Sequence, residues 1–386
     1  MILFQNAQVL APEPLGVVDV LVGGGRVIAV GEALGAAPGW PVNIVDCQGG
    51  WLVPGLVDAH AHLTGGGGEG GARTRVPALQ LTELTLAGLT TVVGLLGTDC
   101  TTRSIAELLA AARALEELGL TALCYTGGYV VPPLTLTGSV RGDIVNVDRI
   151  IAVGETAIAD HRSSQPTFDE LVRLAADAHV SGMMTGKAGC LHLHLGDGPT
   201  GLAMVRRALD ETELPARVFH PTHCNRNRRL WEESKALSRR GVTIDVTAFD
   251  ADGDAPSGGQ ALAEWFVEGL DPARLTMSSD GGGCLPTFDG DGCLLRMDVG
   301  APSALLGAVR EALGLGVPIE FALATVTRNP AQQLRLSKKG RVEIGADADL
   351  VVLDRALAVR DVLAGGEFMV RAGRAVRAGV FEPSTS

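Results

Sequence analysis

Apolar residues fall into three regimes along this chain. From Met1 to Pro54 they come in short runs, ILFQNAQVLAP, VVDVLVGGGRVIAVG and PVNIVDCQ, cut by glycine and proline and lacking a helical period. That pattern predicts β-strands. The carboxyl end returns to it in KKGRVEIGADADLVVLD and EFMVRAGRAVRAG. Between the two ends, LVDAHAH, TTVVGLL, TALCYTG, RIIAVGETAIA, CLHLHLG, ARVFHPTH, VTIDVTA and RLTMSSD read as strands. SIAELLAAARALEELG, FDELVRLAADAHVSG, GLAMVRRALDETE and RLWEESKALSRRG read as helices among them. Such alternation is the signature of βα units on a parallel sheet. Eight strands with crossovers of this length predict an α/β protein: a closed (β/α)8 TIM-type barrel over residues 55–339, with residues 1–54 and 340–386 joining into one small discontinuous β-sandwich. An open doubly wound sheet is the rival, but the first strand runs into HLTGGGGEGG and lacks a dinucleotide-binding turn with a helix behind it.

Composition narrows the partners. The formal charge is -12 with no long basic run, which argues against nucleic acid or an anionic membrane and leaves small molecules. MILFQNAQVLAPEP lacks the basic start and sustained apolar stretch of a signal peptide, and there is no run of 18 apolar residues. The seven cysteines are scattered singly without a Cys-x-x-Cys pair, the usage of a reducing, cytoplasmic compartment.

The chemistry gathers at predicted strand ends. DAHAHLTGGGGEGG, Asp58 to Gly71, places His60 and His62 one residue apart. On a strand that spacing sends both imidazoles to one face. Glu155 on the fourth strand, His194 on the fifth, His223 on the sixth and Asp280 on the eighth complete a set of six metal-ligand types. Neutral imidazoles and carboxylates together suit Zn2+ or a similar divalent ion, and two ions when one carboxylate bridges them. Any one of the six has a plainer reading, as a buried histidine bonded to a carbonyl or an acid capping the next helix. His192 shares a face with His194 and reads as a core residue one layer deeper.

With these residues in place the chain resembles the amidohydrolase superfamily, whose metal barrel carries His-x-His on the first strand, a bridging residue on the fourth, histidines on the fifth and sixth, and Asp on the eighth. WLVPGLVDAHAHL and GADADLVVLD are similar to its approach to and exit from the barrel. HLTGGGGEGG, TTVVGLLGTD, YTGGYVVP, AIADHRS, PTHCNRN and SSDGGG resemble the isoaspartyl (β-aspartyl) dipeptidase family along nearly the whole chain. That family usually has a carboxylated lysine on the fourth strand. Aligning through AIADHRS puts Glu155 there, so the resemblance implies two divalent ions, Zn2+ foremost, bridged by Glu155 in the lysine's place. Lys187 in TGKAG is the lesser candidate for that bridge.

The resemblance further implies hydrolysis of the isopeptide amide in a small β-aspartyl dipeptide by metal-activated hydroxide, with Asp280 shuttling the proton and Tyr129 donating to the oxyanion. Glu69 would pair with the substrate ammonium. Backbone N–H near Gly67 and the Thr98 hydroxyl would take the adjacent carboxylate, and Arg162 and Arg226 the leaving residue's carboxylate. Arg228 and Arg229 read as solvated charges. Cys284 stands where the family commonly has a serine that helps hold substrate. A homo-oligomer is implied as well. Two alternatives stay open: another amidohydrolase, either a hydantoinase-like cyclic amidase or an N-acyl amino acid deacylase, and a catalytically silent barrel subunit.

Overall fold

A computed structural model describes residues 1–35, 39, 41–288 and 293–382. Eight parallel strands form the middle of the chain: β1 (Leu56–Ala61), β2 (Leu89–Gly94), β3 (Thr121–Thr126), β4 (Ile150–Ile158), β5 (Leu191–Leu195), β6 (Phe219–Thr222), β7 (Ile244–Thr247) and β8 (Leu275–Ser278). β1 to β6 pair in chain order as one sheet, and β7 pairs with β8. Two seams close the circle. Cys224 donates its backbone N–H to the Asp245 carbonyl between β6 and β7, and His62 donates to the Gly281 carbonyl between the exits of β1 and β8, both in a (β/α)8 barrel arrangement. All eight predicted strands are present, each within a few residues of its predicted limits.

Burial explains why these runs read as nearly continuous apolar stretches. β1, β2, β4, β5 and β6 are buried at every position, as expected of parallel strands covered by helices on one side and filled on the other. The covering helices bury one stripe each. Ile105–Glu117 turns Ile105, Leu108, Leu109, Ala112 and Leu115 inward at helical spacing, and Ser104 caps it by accepting from the Glu107 N–H. Six α-helices among the described residues were not expected from the sequence, and two of them are long. Gly258–Val267 follows β7 behind a capping box of Ser257 and Gln260, and Ala304–Gly314 follows β8. Paired glycines interrupt the pattern of the first, and an antiparallel pair of strands, Cys284–Phe288 with Leu294–Val299, separates β8 from the second.

The two chain ends form a sandwich of two sheets. One has four strands in the order Arg26–Gly31, Asp19–Gly23, Ile2–Gln5 and Asn43–Asp46. The other has seven and runs from Arg374–Ala375 through Leu350–Leu353 and Trp51–Pro54 to Pro14–Val17. Phe4, Val9, Val20, Val22, Leu52, Leu350, Val352 and Leu363 pack between them. Leu350–Leu353 pairs antiparallel with Trp51–Pro54, so the strand that leads into the barrel is zipped to the one that follows it. RVEIG, expected to be extended, is instead a turn: Val342 is buried, Ile344 is exposed, and Gly345 takes a φ of 90°. Val359–Ala364, which no motif announced, supplies the neighbouring strand.

Candidate metal centre

β1 delivers His60 at its end and His62 just beyond it, both buried. Asp58 anchors this segment. Its Oδ1 accepts from the N–H groups of His60 (3.1 Å) and Ser279 (3.2 Å), and its Oδ2 from the Ser279 hydroxyl. That contact ties the first histidine pair to the turn carrying Asp280. Burial lifts the Asp58 carboxyl to about 6, against the hydrogen bonds that favour its charge. His223 and Asp280 each follow a strand at positive φ, 59° and 52°, a conformation uncommon for residues other than glycine and concentrated at functional sites.

Glu155 stands at the centre of these side chains. Its Oε1 lies 3.5 Å from His62 Nε2, and its Oε2 lies 2.9 Å from His194 Nδ1, 3.5 Å from His223 Nε2 and 3.7 Å from His60 Nε2. Asp280 Oδ1 is 3.1 Å from His62 Nε2 and 3.3 Å from His60 Nε2. Ligand atoms of His60, His62 and Glu155 lie within 4.8 Å of one another, as do those of Glu155, His194 and His223 and those of His60, His223 and Asp280. The structure therefore brings all six predicted ligands together, with the two oxygens of Glu155 turned toward different imidazoles. Burial opposes a charged Glu155, but His60 and His194 overcome it and hold the carboxyl well below its usual range. Asp280 is likewise lowered against its burial by His60 and His62.

Three of the four imidazoles have one nitrogen held from outside the cluster while the other faces Glu155. Asp160 Oδ2 lies 3.0 Å from His194 Nε2, the Thr247 hydroxyl lies 2.7 Å from His223 Nδ1, and His192 Nε2 lies 2.9 Å from His60 Nδ1. Outer partners of this kind fix ring orientation around a metal. Of the three, only His192 was singled out in the sequence, and as a core residue. Asp160 lies inside AIADHRS and Thr247 inside VTIDVTA, but neither spacing shows which ring it meets. Buried His60 Nε2 and Asp280 Oδ1 have no hydrogen-bond partner among the described residues. Buried groups of this type call for an explanation, and a divalent cation between them fits. Lys187 is elsewhere, donating Nζ to the Ile144 and Val147 carbonyls at 2.5 and 2.7 Å.

A cavity of about 1350 Å³ opens above the cluster and is lined by Gly67, Glu69, Thr98, Tyr129, Arg162, Arg226 and Cys284. Gly67, at a φ of 81°, leaves a Cβ nowhere to go but 2.3 Å from the Thr74 carbonyl, so the glycine run is a required tight turn. Arg103, unnoticed in the sequence, braces this turn by donating to the Thr64, Gly66 and Val76 carbonyls. Tyr129 OH lies 2.9 Å from His194 Nδ1, and burial keeps the phenol protonated far above its usual range. Arg162 grips Asp160 with Nε (3.0 Å) and Nη2 (2.7 Å), while Nη1 lies 3.4 Å from Glu69 Oε1. The two charges expected to receive opposite ends of a substrate thus face each other. Arg228 and Arg229 do not line the cavity and bond instead to Glu264 and to the Gly198 and Pro199 carbonyls.

Comparison with known proteins agrees with this geometry. The amidohydrolase family model matches residues 51–369. The crystal structure of β-aspartyl dipeptidase from Fervidobacterium islandicum AW-1 in complex with the β-Asp-Leu dipeptide is 42% identical, with a TM-score of 0.92, covering 97% of this chain and 98% of that one. Imidazolonepropionase from Pseudomonas aeruginosa is 27% identical over 337 residues, 80% of each chain. A deacetylase from Agrobacterium fabrum is 25% identical over 370 residues, 87% of this chain and 78% of that protein.

Two measurements test the centre. Glu155→Ala is expected to lower bound divalent metal and hydrolytic activity together, read by elemental analysis and turnover on one preparation. Full occupancy with retained activity would remove Glu155 from the centre. The second concerns protons. Burial disfavours a charged His60, but Glu155 and Asp280 overcome it and raise the ring to about 9. A metal-free chain at pH 7 therefore carries a proton on His60 that ligation must expel, so Zn2+ titration in a pH-stat should release about one proton or more per chain. Uptake without release would contradict this.

Proposed function

We propose that this chain, which belongs to the amidohydrolase family, hydrolyses the isopeptide amide of β-aspartyl dipeptides. The observation that carries the reading is a pair of charged side chains in one cavity, each with a buried polar atom left unsatisfied. Glu69 Oε2 and Arg226 Nε are buried without hydrogen-bond partners among the described residues, and both line the space above the metal-ligand cluster. A small zwitterion with a further carboxylate would satisfy both. A β-aspartyl dipeptide offers an ammonium for Glu69 and a leaving-residue carboxylate for Arg226 and Arg162, while the Gly67 N–H and Thr98 hydroxyl are suited to the remaining carboxylate. Substrate would then exchange the Glu69 to Arg162 contact for one partner at each. The 42% identity to the F. islandicum enzyme supports the same substrate class.

His60, His62 and Asp280 would hold one divalent ion and His194 and His223 a second, with Glu155 shared between them. Zn2+ is the first choice for that donor set. Bound divalent ions supply Lewis acidity and a nucleophile derived from water at neutral pH. Asp280 takes the proton released at attack and returns it to the departing amine, which cannot leave unprotonated. Tyr129, kept protonated by burial, donates to the developing oxyanion. Cys284 is a weaker hydrogen-bond donor than a hydroxyl and contributes shape more than charge recognition. The reading carries with it a cytoplasmic homo-oligomer with neither nucleic acid nor membrane as a partner. No helix among the described residues is long and apolar enough to cross a membrane.

Turnover of β-Asp-Leu, a hydantoin and an N-acetyl amino acid by the metal-loaded protein separates this from the neighbouring amidohydrolase chemistries. Preference for β-Asp-Leu is expected, and preference for either other substrate would overturn the assignment. Glu69→Gln should lower kcat/KM on β-Asp-Leu by about 10- to 100-fold, the scale of one lost hydrogen bond to a charged group. It should leave metal content unchanged. An unaffected kcat/KM would remove Glu69 from substrate recognition.

A further inference from the structure

Beneath the ligand cluster the barrel interior holds a second row of polar side chains. His60 Nδ1 lies 2.9 Å from His192 Nε2, His192 Nδ1 lies 3.0 Å from His220 Nδ1, and His220 Nε2 lies 3.1 Å from the Thr276 hydroxyl. Thr276 in turn donates to Asp245 Oδ1 at 2.6 Å. The row crosses the barrel from β1 through β5 and β6 to β8 and β7, and all five residues are fully buried. Burying three neighbouring imidazoles costs free energy unless every ring nitrogen is satisfied. A plain structural role would be served by aliphatic side chains, which fill other barrels at this depth.

The order of hydrogen bonds fixes where each proton sits. Asp245 accepts from three hydroxyls, those of Thr222 (2.7 Å), Thr276 (2.6 Å) and Ser278 (2.6 Å). The other neighbour of the Thr276 hydroxyl is the Ile244 carbonyl at 3.4 Å, which also only accepts. The single Thr276 proton is therefore directed away from His220, and His220 must donate from Nε2. A neutral His220 then accepts at Nδ1, so His192 donates from Nδ1 and accepts at Nε2. His60 consequently donates from Nδ1, and its Nε2 faces Glu155 and Asp280, where it offers a lone pair once its proton is expelled. Burial supports neutral rings in the row, with His220 lowered to about 4.

We propose that Asp245, acting through Thr276, His220 and His192, is a positioning device that sets the tautomer of His60 and presents its Nε2 to the metal. The proposal rests on the metal-centre reading of the ligand cluster and adds to it the residues that orient one ligand from across the barrel. His194 and His223 reach their outer partners in one step, Asp160 and Thr247. His60 reaches its carboxylate through three intermediaries, which places a requirement on β8 and β7 far from the ion itself. Aliphatic substitution in the row is then expected to act on metal affinity before it acts on substrate recognition.

The test uses the metal-loaded protein labelled with 15N-histidine, and Zn2+ affinity by chelator competition. In the wild-type protein NMR should find His192 protonated on Nδ1 and His220 on Nε2. Thr276→Val keeps the shape but removes the hydroxyl, and should weaken Zn2+ binding by about 10- to 100-fold, the usual scale for loss of an outer partner. Thr276→Ser should restore affinity to within a few-fold of wild type. His192 protonated on Nε2, or wild-type Zn2+ affinity in a folded Thr276→Val protein, would overturn the proposal. A wild-type protein that takes up no metal would instead defeat the metal-centre reading itself, so the two failures are distinguishable.

Discussion

Glu155 is a carboxylate taken out of water and set among four imidazoles at the mouth of a barrel. A lone buried charge of that kind is prohibitively costly, and the group would neutralise itself were its surroundings apolar. Here His60, His62, His194 and His223 come from three different strands and converge on its two oxygens, with Asp280 adding a second acid. Protons on the imidazoles can balance the acids only partly, and they compete with the lone pairs that face inward. Divalent cations, which this cluster has the groups to hold, would balance the acids and use those lone pairs at once. The positive φ angles at His223 and Asp280 and the anchoring of β1 through Asp58 and Ser279 are consistent with a backbone shaped to keep these groups in contact.

Support for that cluster comes from every side of the barrel. Asp160, Thr247 and His192 each hold a ring from behind, and Asp160 does so while gripping Arg162. The candidate metal-ligand cluster and the cavity above it therefore share Asp160. A change at Asp160 reaches a ligand imidazole and a cavity guanidinium together. The β-sandwich contributes indirectly, by zipping the strand before β1 to Leu350–Leu353 and fixing the direction in which the first histidines enter the barrel.

The fold was legible in the sequence because burial on both faces leaves parallel strands with long apolar runs, and these were separated by amphipathic helices and glycines. The candidate ligand set was legible in part: a period of two carries His60 and His62 to one face, and His194, His223 and Asp280 stand within two residues of a strand end, whereas Glu155 lies three residues inside the end of β4. Contacts that depend on barrel closure were not. Nothing in VTIDVTA announces that Asp245 receives three hydroxyls, and nothing in ARVFHPTH announces that His220 meets His192. Nor does the chain show that Arg162, 93 positions from Glu69, lies opposite it. RVEIG failed for a local reason, since a positive-φ glycine ended an alternating pattern before it could pair.

The central claim is that Glu155 is shared between two cations, and anomalous diffraction from crystals grown with Zn2+ measures it most directly. Two peaks about 3.5 to 4 Å apart are predicted, one beside His60, His62 and Asp280 and the other beside His194 and His223, with a Glu155 oxygen on each. A single peak with Glu155 turned away from it, or no peak among these side chains, would contradict the account.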